Sequence, residues 1–202
     1  MNEDRMKKKS HRLSWLLRHG ANEVHLAMDS AGFAPVDDVL RHASLTRAEL
    51  DQVIEENNKS RYELSVDGLR VRACQGHSLE GTPVTREGLE GTWALVVDDA
   101  LVFHGTNVTA ARSILAEGIT AAARTHVHLA ESEGAKVGKR ANVDVLLAVS
   151  PAKLRGHGVQ IHRAPNGVLL ARHVPAEAIV DVTAHNRPGE HALAELKAML
   201  RA

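Results

Sequence analysis

The hydrophobic pattern changes period along the chain. Leu13, Leu16 and Leu17 recur at helical spacing and predict a first helix that ends at Gly20. Pro35 followed by Val36, Val39 and Leu40 predicts a short second helix. Thr46 and Glu49 make a capping-box pair ahead of Leu50, Val53 and Ile54, which predicts a third. The period then drops to two: Tyr62, Leu64 and Val66 alternate, Asp67-Gly68 marks a two-residue hairpin turn, and Leu69, Val71 and Ala73 resume the alternation. From Leu79 to Thr92 the chain runs through Gly81, Pro83, Gly88 and Gly91 without apolar periodicity and reads as a linker. Short strands follow at Trp93–Val97, Leu101–Phe103, Val127–Leu129, Val143–Val149, Val168–Leu170 and Ile179–Val182. Helices are predicted among them at 108–117, closed by Gly118, near 131–140, and at 189–201.

Three helices followed by a hairpin is the order of a winged-helix domain, here 1–88, and 89–202 reads as a second, strand-rich domain, so the fold class is α+β. With 202 residues and 44% apolar content the chain can bury ordinary cores, which excludes disorder. No apolar run approaches the ~20 residues of a membrane span, and the charged N-terminus lacks a signal-peptide core. Cys74, the only cysteine, excludes an intramolecular disulfide and a multi-thiolate zinc site. A reduced, cytoplasmic protein without membrane contact is expected. The 25 Lys and Arg balance 25 Asp and Glu, and each half is near neutral, so any anion site must be local. One basic cluster stands out: Arg5, Lys7, Lys8, Lys9, Arg12 and Arg18. The aromatics are Trp15, Phe33, Tyr62, Trp93 and Phe103, too few for a stacking platform along a single strand. Nucleic acid, if bound, must be held mostly by charge and hydrogen bonds.

Candidate chemistry lies in short clusters. Alternation sends Leu69, Val71 and Ala73 to the core and Arg70 and Arg72 to the opposite face, and Gln75, Gly76, His77 and Ser78 follow as a polar loop able to hydrogen-bond a ligand. A solvated strand face and a surface loop would explain the same residues. Leu17-Arg18-His19-Gly20 places an Arg fork and a His at a helix end, suited to phosphate or equally to complementing the helix dipole. His104-Gly105-Thr106 closes a strand and opens a helix, where Thr106 or Asn107 leaves donors for an anion or serves as a plain cap. His126 and His128 share a strand face, but no third ligand has metal spacing, so no metal is expected. Val137-Gly138-Lys139-Arg140 puts two cations at a helix end. P-loop and Rossmann fingerprints are absent, as is an acid/base carboxylate pair.

In this order, the clusters resemble the NAD-dependent RNA 2'-phosphotransferase family, also called tRNA 2'-phosphotransferase. The likeness runs from Leu13-Ser14 and Leu17-Arg18-His19-Gly20 through Val36-Asp37-Asp38-Val39-Leu40, Tyr62-Glu63-Leu64-Ser65, Asp67-Gly68-Leu69-Arg70-Val71-Arg72-Ala73 and Gln75-Gly76-His77-Ser78. It continues at His104-Gly105-Thr106, His126-Val127-His128-Leu129, Val137-Gly138-Lys139-Arg140, Asn166-Gly167-Val168 and His173-Val174-Pro175. The resemblance implies a winged-helix RNA-binding lobe and an ADP-ribosyltransferase-like NAD-binding lobe. It implies a catalytic set matched by Arg18, His19, Arg72 and Arg140, a substrate loop at Gln75–Ser78, and an NAD site at His104, Gly105, Thr106, His128 and Leu129. NAD is then a consumed co-substrate, RNA with an internal 2'-phosphate the partner, and a monomer the expected state. Cys74, Ala130, Leu169 and residues 21–25 depart from the family pattern. An ADP-ribosyltransferase acting on terminal phosphates and a non-enzymatic nucleic-acid-binding regulator are the alternative readings.

Overall fold

The computed structural model describes residues 2–56, 60–135 and 143–201, with side chains from residue 6 onward. The chain forms two compact units, one of residues 1–93 with 123–125 and one of 94–122 with 126–202.

In the first unit, helix α1 (Asn2–Trp15) continues as one wider π-helical turn over Leu16–Gly20. Leu13, Leu16 and Leu17 are buried, while His19 on the same turn stays exposed. Strand β1 (Ala34–Pro35) leads into α2 (Val36–Ala43), whose first turn carries Asp37 and Asp38 where the helix dipole favours anions. The capping box forms as expected at the start of α3 (Arg47–Glu55): Glu49 N–H donates to Thr46 Oγ1 at 3.2 Å, and Thr46 N–H to Glu49 Oε2 at 2.9 Å. Lys9 also pairs with the Glu49 carboxylate, tying α1 to α3. These two bonds, Lys9 first, hold the Glu49 carboxyl down at about 2.

The hairpin pairs β2 (Tyr62–Leu64) with β3 (Arg70–Ala73) in the register Tyr62↔Ala73, Glu63↔Arg72, Leu64↔Val71, and β1 adds to the free edge of β3. Its turn is longer than the sequence predicts. Ser65 N–H donates to Arg70 O, Gly68 N–H donates to Ser65 O, and Asp67 accepts from Leu69 N–H, so four residues form the loop. Val66 and Leu69 therefore leave the alternation and stand exposed, while Val71 and Ala73 are fully buried. The core of this unit gathers Leu13, Leu17, Val39, Leu50, Tyr62 and Val71 from the first three helices and the hairpin.

The stretch 79–92 is not a linker. It carries helix α4 (Arg86–Glu90), capped by Thr85, with Leu89 fully buried and Val84 nearly so. Gly81 and Gly88 serve close packing there, since an added Cβ would lie 1.9 Å from His19 O and 2.4 Å from Ser30 O.

The second unit is built on small antiparallel sheets. Strands β4 (Ala94–Leu95) and β5 (Val102–Thr106) precede helix α5 (Val108–Glu117), with β6 (Ile119–Thr120), β7 (Val127–Leu129) and β8 (Val145–Val149) after it. Helix α6 (Pro151–Gly156), β9 (Ile161–Arg163), β10 (Leu169–Ala171), β11 (His173–Val174), β12 (Ile179–Ala184) and α7 (Arg187–Met199) complete it. The sheets run β4-β9-β10-β7 and β12-β8-β5, with β11-β6 as a short pair, and a Phe103↔Ala130 bridge links β5 to the end of β7. The fully buried β8 centres a core with Val102, Leu129, Leu169, Val182 and Leu196. Burying each such leucine contributes roughly 1.5–3 kcal/mol. The chain is thus α+β. Residues 131–135 form bends and turns where a helix was expected, and 136–142 lie outside the described residues. Strand β9, helix α6 and the short β6 and β11 have no counterpart in the sequence reading. No helix is long and apolar enough to cross a membrane among the described residues.

Candidate functional site

The wide turn that ends α1 places Arg18 under the loop that follows β3. Ser78 N–H donates to Arg18 O at 2.9 Å, and Asn22 N–H donates to Gly81 O at 3.1 Å. The fit is tight: a Cβ at Gly81 would lie 1.9 Å from His19 O. Gly76 adopts the left-handed conformation (φ 92°), and a Cβ there would lie 3.6 Å from Arg18 Cδ and Nε. The loop backbone therefore covers one face of the Arg18 side chain.

That guanidinium is the unusual group of the first unit. Nη1 reaches Ser14 Oγ at 3.5 Å, but Nε and Nη2 are buried with no hydrogen-bond partner among the described residues. Burial pushes the Arg18 pKa down, and the nearby Arg61 and Arg124 cations push the same way. Buried donors on a cation are costly unless an anion meets them, so this fork has donors to offer an anion. His19 lies beside it and, though exposed, is held below the usual histidine range, by partial desolvation first and then by Arg18 and Arg124. Its imidazole is neutral at pH 7, able to donate from one nitrogen and accept at the other. Arg18→Gln removes one of those cations, so His19 is expected to titrate at higher pH in the variant. NMR titration of its Cε1 proton measures this, and an unchanged or lower midpoint would contradict the arrangement.

Arg124 was not legible as a site residue. Thr125 N–H donates to His77 O at 3.1 Å, Arg86 Nε donates to Thr125 O at 2.9 Å, and Ser78 and Arg124 form an isolated bridge. These bonds pin the exposed Arg124 next to Arg18 and His19. The one available signal is that, histidines aside, Arg124 is the sole charged residue between Glu117 and Glu131.

Arg72 departs from expectation. Its strand face is not solvated: the side chain is 3% exposed. Nε donates to its cross-strand partner Glu63 at 2.8 Å, Nη1 to Thr92 Oγ1 at 2.6 Å and to Ala31 O at 3.2 Å, and the Phe33 ring lies 4.4 Å from its Cζ. Phe33 and residues up to Thr92 close over the face that alternation alone leaves open. His77 is likewise fully buried, with its ring against Gly32, so Gln75 and Ser78 are the partly exposed members of the loop. Cys74 donates its thiol to Ser60 O, and burial pushes its pKa up to about 11, so this departure from the family pattern is an inert core position. Arg140 lies outside the described residues.

In the second unit, His104 is nearly buried at the middle of β5, with Nδ1 3.1 Å from His128 O. A carbonyl only accepts, so Nδ1 carries the proton and the ring is fixed against β7. Thr106 and Leu129 are buried, and a Cβ at Gly105 would lie 2.8 Å from Val143 Cγ2, so packing accounts for that glycine. The cap of α5 is Asn107, not Thr106. Asp144 accepts from Val108 N–H at 3.1 Å and occupies the place expected for an external anion. His126 is buried, and no group of three metal-ligating residues exists among the described residues.

Related proteins share this chain's pattern across most of its length. "Probable RNA 2'-phosphotransferase" of Pseudomonas syringae pv. tomato is 38% identical over 90% of this chain and 97% of its own. The protein of the same name from Acaryochloris marina is 34% identical over 89% and 99%, and that of Burkholderia lata 36% over 86% and 89%. The sequence model of the RNA 2'-phosphotransferase, Tpt1 / KptA family matches residues 4–173. With a family model matching most of the chain and relatives of this identity over nearly all of it, the chain belongs to the RNA 2'-phosphotransferase, Tpt1 / KptA family.

Proposed function

We propose that the protein removes a 2'-monophosphate from within an RNA strand by transferring it to NAD, with Arg18 as the primary phosphate ligand. The observation that carries this reading is the pair of buried donors on Arg18 that have no hydrogen-bond partner among the described residues, flanked by His19 and Arg124, in a chain of this family. A planar fork of donors suits a phosphate dianion, and one extra phosphate is the feature that marks the substrate.

In the proposed reaction a 2'-phosphate oxygen, anionic at neutral pH, bonds to the anomeric carbon of the nicotinamide-bearing ribose, and nicotinamide leaves with the electrons of the C–N bond. This step needs no general base, because the attacking oxygen is already an anion. The ribose 2''-hydroxyl then loses its proton and attacks phosphorus. The P–O bond to the RNA breaks, the RNA 2'-oxygen takes up a proton, and ADP-ribose 1'',2''-cyclic phosphate is released. Charge grows on the phosphoryl oxygens in this second step, where Arg18 and Arg124 stabilise it. Neutral His19 is suited to move the proton. Gln75 and Ser78 border the phosphate.

The first unit is proposed as a winged-helix RNA-binding lobe, and the second as the ADP-ribosyltransferase-like lobe that holds NAD around His104, Gly105, Thr106, His128 and Leu129. The fixed imidazole of His104 supports that placement, with Thr106 and Leu129 acting through packing and backbone. Arg72 is proposed to position the loop from β3 rather than to touch phosphate. A catalytic part for Arg140 rests on family resemblance.

The test is an RNA oligonucleotide with one internal 2'-phosphate, incubated with and without NAD. Mass spectrometry should show loss of the phosphate only with NAD, with one nicotinamide and one cyclic-phosphate ADP-ribose per strand. Phosphate loss without NAD, or a stable ADP-ribosylated strand as end product, would overturn the reading.

A further inference from the structure

We propose that the exposed face of α1 is a track for the RNA strand flanking the 2'-phosphate, with Trp15 stacking on one base and Lys8 and Arg12 contacting successive phosphates. This extends the phosphotransferase reading and rests on it for the identity of the strand.

Lys8, Arg12 and Trp15 stand at i, i+4 and i+7 and so share one helix face, which burial leaves exposed while Leu13, Leu16 and Leu17 face the core. The π-helical turn carries this face on to exposed His19, so the stripe leads to the candidate phosphate site. Neighbouring Lys9 differs: it is largely buried and committed to Glu49. Arg12 is anchored through Nε, which donates to His42 O at 2.9 Å, and the residue is exposed. Lys8 has no acidic partner among the described residues.

Trp15 is the least expected member. It is 38% exposed, although a large indole on a helix is ordinarily buried. Its benzo edge is lodged against the chain: a Cβ at Gly20 would lie 2.4 Å from Cη2 and Cζ2. Any larger residue at 20 would push the ring away. The indole is therefore held in one orientation, one turn before Arg18 and His19. A rigid, half-exposed ring beside a phosphate site and in line with two cations suits one stacked base of a single strand. A bare acidic peptide would use the cations but not the ring.

Binding of an unmodified 12-nucleotide single-stranded RNA, without NAD, tests the track apart from catalysis. Trp93 is buried, so quenching of tryptophan fluorescence reports Trp15. Wild type should show quenching and a negative log–log slope of affinity against salt. Lys8→Glu combined with Arg12→Glu should weaken binding by at least about tenfold and flatten that slope by about 1.4, at ~0.7 per phosphate contact. Trp15→Leu should abolish the quench and lower affinity about 5- to 100-fold, and Trp15→Tyr should restore most of the affinity. Unchanged affinity and slope in the double variant, quenching that survives in Trp15→Leu, or equal losses in the Tyr and Leu variants would overturn the proposal. A wild type that binds the strand in this way but leaves a 2'-phosphate untouched would sink the phosphotransferase reading and not the track.

Discussion

Arg18→Ala is expected to lower the rate of 2'-phosphate removal about 100- to 1,000-fold, the effect of deleting one preorganised donor at a site of developing charge. The same position should show the opposite effect on stability. In the free protein the Arg18 guanidinium is desolvated, with Nε and Nη2 unpartnered among the described residues and two further cations nearby. Arg18→Met keeps the bulk and the apolar stem while removing the charge, and is expected to stabilise the free protein by about 1–2 kcal/mol, as when buried ionic groups give way to apolar ones. The two readouts together are diagnostic. A thermal melt that rises as turnover collapses identifies a site strained in anticipation of an anion. Inorganic phosphate should stabilise the wild type and not Arg18→Met. A variant that is both inactive and unstable would instead make Arg18 a structural residue.

Arg72→Ala is expected to act mainly on the fold, by about 2–4 kcal/mol. Its guanidinium serves Glu63, Thr92, Ala31 and the Phe33 ring at once, and breaking a buried pair from one side costs ~3–5 kcal/mol. The lower figure applies because the Glu63 side chain is 36% exposed and water can reach it once the partner is gone. Chemical denaturation gives the size of the loss. Turnover measured well below the lowered melting temperature separates the roles: a positioning residue loses activity modestly, and Arg72→Lys recovers little because one ammonium cannot reach three acceptors. A variant of wild-type stability with no turnover would return Arg72 to direct catalysis.

Local signals in the sequence carried the local structure. The Thr46–Glu49 box, the helix closed by Gly118 and the Val127–Leu129 strand are found where the pattern places them, because each is set by residues a few positions apart. Features set by distant residues were not legible. Alternation correctly put Arg72 opposite Val71 and Ala73, but it could not say that Phe33 and Thr92 would cover that face. Gly81, Pro83 and Gly88 read as looseness in a linear sequence, yet the segment packs through Val84 and Leu89. At the site, Arg18 and His19 were visible as an Arg and a His at a helix end. Arg124 was not, since it lies just outside the alternating Val127–Leu129 stretch and only the loop at His77 and Ser78 brings it in. The anion role expected at the start of α5 failed for the same reason: Asp144, 36 positions away, already fills it.

The membership of residues 123–125 in the first unit limits how this protein can be taken apart. A fragment ending at residue 93 keeps the core around Leu13, Leu17 and Leu50 and keeps Arg18 and His19. It discards Arg124, the N–H that His77 O accepts, and the carbonyl that Arg86 needs. The two units are therefore not interchangeable cassettes. A chimaera that swapped one of them between relatives at a single junction would separate cations that the chain assembles by visiting the same place twice, so the site is inherited as an interleaved whole.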